Sequence, residues 1–163
     1  MGTFNAKILA EFQPPRKWKL GRDLTYSTKE LMGDEIKALQ DIGVKVNRDT
    51  DISPVDITVP NEFMTDLAST PRALWAFIAP FDVARAAIVH DLLYKTIRQY
   101  RWNKGDIEED KTLIKKAKVV ADKVFLLAMK DAQPKVSGWK IYSAWKAVDL
   151  FGRWSIIPNE KNI

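Results

Sequence analysis

Two stretches of the chain repeat apolar residues every three or four positions, with a short break between them. Val83, Ala87, His90, Tyr94 and Ile97 share one stripe, and Ile114, Ala117, Ala121, Phe125 and Ala128 share another. That period belongs to an amphipathic helix. Asn103-Lys104-Gly105 interrupts it, so the spacing predicts one helix over about 81–100 and a second over about 107–132. A connection this short makes them antiparallel neighbours. Upstream, Thr70-Pro71 is a start signal, with Thr70 as N-cap and Pro71 at the first helical position. The helix it opens carries Leu74, Trp75, Phe77 and Ile78 and stops near Pro80. Pro134 and Gly138 mark the next turn. A last helix over about 139–151 turns Ile141, Tyr142, Trp145 and Val148 inward, with Gly152 as its C-cap.

Residues 1–62 have a different grain. Phe4, Ala6, Ile8 and Ala10 alternate like a half-buried strand, which Pro14-Pro15 stops. Trp18, Leu20, Leu24 and Tyr26 suggest a hairpin with Gly21 near its turn. A short helix fits within 29–42, with Ile36 and Leu39 on one side and Gly43 after its end. Ile57-Thr58-Val59 reads as a short strand closed by Pro60. The expected fold is α+β: a small N-terminal antiparallel β region (1–62) packed on a C-terminal antiparallel helical bundle (63–163). At 163 residues the two regions suit one folding unit.

Composition removes whole classes of chemistry. The chain has no cysteine and one histidine, which excludes disulfides, thiolate zinc sites, a cysteine nucleophile and a multi-histidine metal site. Its apolar runs fall short of the ~18 residues of a membrane span, so no transmembrane segment is expected. The start of the chain alternates and does not read as a signal peptide. Net charge is +5, and it is uneven: residues 111–163 hold eleven Lys/Arg against four Asp/Glu, a net +7. A basic third can attract phosphate-rich partners, nucleic acid among them. Lys111, Lys115 and Lys118 recur at helical spacing, however, with Lys123 and Lys130 beyond, and the plainer reading is a solvated helix face. The six tryptophans are expected to serve packing. Trp139 and Trp145 lie six apart and cannot share one narrow stripe, so one of them should be exposed.

His90 carries the chemical reading. It sits in Ala-Ala-Ile-Val-His-Asp-Leu-Leu-Tyr, where Asp91 follows it and Tyr94 lies one turn on. Asp122, on the facing helix, is expected to meet the imidazole. A carboxylate on one ring nitrogen fixes the tautomer and supports positive charge, leaving the other nitrogen to take a proton from water. His90, Asp122 and Tyr94 are therefore the candidate catalytic set. The same residues equally make a buried network that only fixes helix packing. A second polar cluster runs from Thr65 to Arg72. Ser69 and Thr70 read as helix caps, and Asp66 either pairs with Arg72 or joins Asp91 around a hard cation such as calcium. Ser69 as a nucleophile lacks the glycines of a nucleophile elbow.

The combined pattern resembles a phage and prophage family of unknown function. It consists of Val59-Pro60, Phe63, Thr65-Asp66-Leu67-Ala68-Ser69, Pro71-Arg72, His90-Asp91, Leu93-Tyr94, Ala121-Asp122, Phe125 and Met129. Lys118 stands where an arginine is expected. Asn61-Glu62 replaces the small or glycine residues that usually follow Val-Pro. The resemblance implies a virion-associated tail or assembly protein, located in the virion, with other virion proteins as partners. More locally, His90-Asp91, Tyr94 and the facing Asp122 are similar to the helices of secreted phospholipases. That likeness implies His90 as general base, Asp91 as a calcium ligand and Asp122 as the residue that orients His90. The glycine-rich calcium loop and the disulfides of those enzymes are missing. The expectation is thus a virion-associated phage protein. The alternatives are a His/Asp hydrolase acting on an ester or amide of the host envelope, and a nucleic-acid-binding phage protein.

Overall fold

The computed structural model describes residues 1–15, 17–65, 80–105, 110–133 and 135–163, with the backbone alone at 80–82. In chain order its elements are β1 (Thr3–Phe4), β2 (Ala10–Gln13), β3 (Lys17–Leu20), β4 (Leu24–Thr28), α1 (Gly33–Asp41), β5 (Val46–Asn47), β6 (Val55–Val59), β7 (Met64–Thr65), α2 (Pro80–Lys104), α3 (Lys111–Lys130) and α4 (Gly138–Ser155). The strands form two antiparallel sheets, one in the order β1-β4-β6-β5 and the other β2-β3-β7. The three longer helices follow them, so the fold is α+β. Asp66, Ser69, Thr70, Pro71 and Arg72, and the helix expected to begin at Thr70-Pro71, lie outside the described residues.

The first sheet shows why these residues form strands. Leu24, Tyr26 and Thr28 pair in register with Val59, Ile57 and Val55, and all six are buried. Thr25, Ser27, Asp56 and Thr58 alternate with them and are half-buried. Period two places the first set on one face, and α2 packs against β4 and β6. Burying each large aliphatic side chain contributes roughly 1.5–3 kcal/mol. Helix α1 begins where the Glu35 carboxylate accepts the Met32 backbone N–H at 2.8 Å. It ends just before Gly43, whose φ of 97° would strain any side chain. Helix α3 runs among α1, α2 and α4. Its stripe Ile114, Ala117, Ala121, Phe125 and Ala128 is buried as its spacing predicts.

Several expectations are corrected. The alternating run Phe4 to Ala10 is not one strand, because the Asn5 side chain bonds the Thr25 N–H at 2.9 Å and the chain then leaves the first sheet. Trp18-Leu20 and Leu24-Tyr26 do not form a hairpin about Gly21. Gly21 N–H bonds the Leu9 carbonyl at 2.8 Å, so β3 pairs with β2 through the Pro14-Pro15 turn, while β4 crosses to the other sheet. Tyr142 faces outward, since the buried stripe of α4 is Ile141, Ala144, Val148 and Gly152. The solvated-face reading holds for Lys111, Lys115 and Lys130 and fails for Lys118 and Lys123. Lys118 is buried, and Lys123 meets the Glu35 carboxylate at 2.7 and 2.8 Å. Packing α3 between α1 and α4 leaves it only a strip of surface. Tryptophans also serve packing less than expected, with Trp102, Trp139 and Trp154 exposed. Glu62, in the pair that stands where the resemblance expects small or glycine residues, adopts a φ of 67°.

Candidate functional site

Helices α2 and α3 bring the predicted residues together. His90 Nε2 lies 3.1 Å from Asp122 Oδ1, and the Tyr94 hydroxyl donates to the same oxygen at 2.7 Å. The four-residue step from His90 to Tyr94 is one helical turn, so both side chains reach one point on α3. The imidazole packs between rings, with centroids 4.0 Å from Tyr94 and 4.8 Å from Phe125. Lys118, one turn before Asp122, places Nζ 2.7 Å from Asp122 Oδ2 and donates to the Asp149 carbonyl of α4 at 2.9 Å. Asp122 Oδ2 makes no hydrogen bond of good geometry. The lysine contact is close enough to count as an ion pair all the same, since charge attraction depends on distance far more than on angle.

These contacts set the charge state. Burial pushes the Asp122 carboxyl up. The bonds and charge of His90, with the Lys118 and Tyr94 donors, outweigh it and hold the group below its ordinary range. Burial, the adjacent Asp122 charge and the bond to it drive the Tyr94 phenol far above its ordinary value. The carboxylate is thus charged and the phenol protonated.

The His90 side chain is 12% exposed, and it opens on a cavity of about 360 Å³. Met64, Thr65 and Lys17 line that cavity from the sheet side, and Phe125, Val148 and Phe151 supply apolar lining from α3 and α4. Lys17, Lys95, Arg98 and Lys161 supply four cations, against Asp91 as a carboxylate. The Thr65 hydroxyl donates to Asp91 at 2.7 Å, tying β7 to α2 at the cavity wall. Among the described residues no group of three or more His, Cys, Asp or Glu side chains could hold a metal. Asp91 and Thr65 supply at most three side-chain oxygens, whereas calcium takes six to eight. Asp66, the other candidate ligand, lies outside the described residues.

A family model described as "Protein of unknown function (DUF1353)" matches residues 41–148, which is 108 of 163 residues. The chain belongs to the DUF1353 family. No curated protein and no solved structure matches it.

The DUF1353 span contains His90, Asp91, Tyr94, Lys118 and Asp122. It ends before Gly152, the residue the sequence reading placed as a C-cap. The structure corrects that placement: Gly152 lies inside α4, which continues to Ser155. A Cβ at this position would land on the Tyr94 hydroxyl and reach within 3.2 Å of Lys118 Cε. The glycine therefore permits close approach of α4 to the Tyr94–Asp122 bond. Lys118 was also missed as a member of the site. Its spacing of four from Asp122, the usual distance of a helical ion pair, was the available signal. The cationic side of the cavity had no such signal, because Lys17 and Lys161 are remote in sequence.

Proposed function

We propose that this DUF1353 protein is a hydrolase in which His90 activates water against an ester or amide. The single observation that carries the reading is the oriented imidazole. A charged carboxylate holds Nε2 while the ring borders a cavity large enough for a substrate. In the proposed step Nδ1 takes a proton from water as the oxygen attacks the carbonyl carbon. The bond to the alcohol or amine then breaks, and the leaving group receives the proton from the imidazolium. Asp122 stabilises the imidazolium, and Tyr94 with Lys118 keeps Asp122 in place.

Turnover of nitrophenyl esters and anilides by wild type, His90→Ala and Asp122→Asn tests the proposal. General-base loss should lower turnover by roughly 10²–10⁴-fold while His90→Ala keeps the wild-type circular dichroism. Equal rates in wild type and His90→Ala would remove it. A calcium titration belongs to the same assay, since a calcium-independent rate discards the phospholipase-like version.

A second reading keeps the network structural, in a virion-associated phage protein. The observation favouring it is that Asp122 joins α2, α3 and, through Lys118, α4. A phage origin and a place in the tail or assembly machinery rest on the motif resemblance. Mass spectrometry of purified particles decides the virion role, and absence of the protein from them counts against it. Nucleic-acid binding draws support from the basic C-terminal third alone, and a flat salt response would exclude it.

A further inference from the structure

The buried stripe of α4, Ile141, Ala144, Val148 and Gly152, is narrow, flanked by the half-buried Trp145 and Ala147, and the opposite side of the helix faces out. On that outer side Trp139 is 59% exposed, Tyr142 59%, Leu150 52% and Trp154 54%. Cations sit on the rings: Lys140 lies 5.9 Å from the Trp139 centroid, Lys146 5.5 Å from Trp145, and Arg153 4.2 Å from Trp154. The one acidic residue of the helix, Asp149, is 3.6 Å from Lys118 and 3.5 Å from Lys146, so its charge is already matched. The outer face therefore offers aromatic and apolar side chains with a net positive charge between them, Lys140, Lys146 and Arg153 against Asp149 alone, along a rod of roughly 27 Å.

We propose that the outer face of α4 docks flat on an anionic lipid surface. Trp139 and Trp154, near the two ends, would anchor the helix at headgroup depth, where an indole keeps its ring in apolar surroundings and its N–H wet. Lys140, Lys146 and Arg153 would meet lipid phosphates while their stems cover apolar surface. Charge decides between lipid and protein as the partner. A protein interface core is depleted of lysine, whereas here a cation lies against each of Trp139, Trp145 and Trp154, as an anionic interface requires. Phe151 on the flank of the same helix lines the His90 cavity, so docking would bring the cavity mouth to the membrane. The docking itself does not depend on any chemistry at His90.

Co-sedimentation of the full chain with vesicles tests this, comparing phosphatidylcholine alone with a mixture holding about 30% phosphatidylglycerol. Wild type should pellet with the anionic vesicles and be released as salt rises. Each cation at such a surface is worth about fivefold, so Lys140→Gln/Lys146→Gln/Arg153→Gln should weaken binding roughly 100-fold. Trp139→Ser/Trp154→Ser should also lose binding with its circular dichroism unchanged. Failure of wild type to bind anionic vesicles overturns the proposal, as does undiminished binding by both variants. Wild-type self-association in analytical ultracentrifugation, abolished by these substitutions without any vesicle binding, would assign the face to a second copy of the chain instead.

Discussion

Gly152→Ala is the sharpest test of how the candidate site is built. Inside an exposed helix, replacing glycine by alanine should stabilise by about 1 kcal/mol. Here the new Cβ would land on the Tyr94 hydroxyl and press on Tyr94 Cζ and Lys118 Cε, at 3.0 and 3.2 Å. Relief requires moving either α4 or the tyrosine. Overpacking of this kind costs about 1–3 kcal/mol. Losing the 2.7 Å bond to a charged Asp122 costs a further ~1.5–3 kcal/mol. After subtracting the helix gain, the net loss is about 1.5–5 kcal/mol, or roughly 3–20 °C in midpoint for a chain of this size. Gly138→Ala is the control, because a Cβ there meets nothing within 4 Å. Urea unfolding followed by tryptophan fluorescence reads both. In Gly152→Ala/Tyr94→Phe the two losses should be less than additive, since the displaced hydroxyl is already gone. A Gly152→Ala protein as stable as wild type, or more so, would refute the close approach of α4 to Tyr94.

Acid should unfold the protein partly through Asp122. Its carboxyl titrates lower folded than unfolded, so its contribution is fully present above the ordinary carboxylate range and drains away as pH falls through the folded value; an acid titration in which Asp122→Asn loses stability as steeply as wild type would contradict this. At the alkaline end, Tyr26 and Tyr94 are both raised by burial and by Asp131 or Asp122. Their contribution is complete below the ordinary phenol value of ~10 and is lost as pH rises beyond it, so stability should fall above pH ~10 with a slope that Tyr26→Phe and Tyr94→Phe each reduce. Glu35→Ala removes the partner of Lys123 and the acceptor for the Met32 N–H together, and it should cost about 1–3 kcal/mol in chemical denaturation; a loss under ~0.5 kcal/mol would mean that neither the cap of α1 nor its tie to α3 contributes to stability.

What the sequence reveals about this chain is what local periodicity encodes. The stripes around His90 and Ala121 place two helices back to back, and that alone carries His90, Tyr94 and Asp122 to one point. Asp131 shows what periodicity misses. It accepts from the Gly2 N–H at 2.8 Å and the Tyr26 hydroxyl at 2.7 Å, joining the first strand to the end of α3 across more than a hundred residues. No local pattern announces such a pair. The sheet exchange at Gly21 was hidden for a related reason. Alternation tells which residues share a face, but not which strand lies alongside, and the partner of β3 was set by backbone bonds from Gly21 and Glu62. Gly152 was misread because a glycine near a helix end fits a cap and a close contact equally well until the neighbouring helix is in place.

The two ends of the His90–Asp122 contact should respond unequally to substitution, and the inequality separates a packing lock from a site. Asp122 is nearly sealed and is shared by His90, Tyr94 and Lys118. Asp122→Ala would leave the buried Lys118 ammonium only the more distant Asp149 carboxylate at 3.6 Å and would strip Tyr94 and His90 of their shared acceptor, a loss of about 3–5 kcal/mol. Removing His90 leaves Asp122 with both the lysine and the tyrosine, so the carboxylate stays paired. His90→Phe keeps a ring against Tyr94 and Phe125, and its cost should be near the ~1.5–3 kcal/mol of one lost hydrogen bond to a charged group. A lock built only for packing has little use for a titratable ring beside a cavity when two other groups already satisfy the acid. Unfolding free energies of the two variants measure the difference directly. Equal losses of several kcal/mol would make the imidazole a structural member like the others, and the argument for water activation would lose its footing.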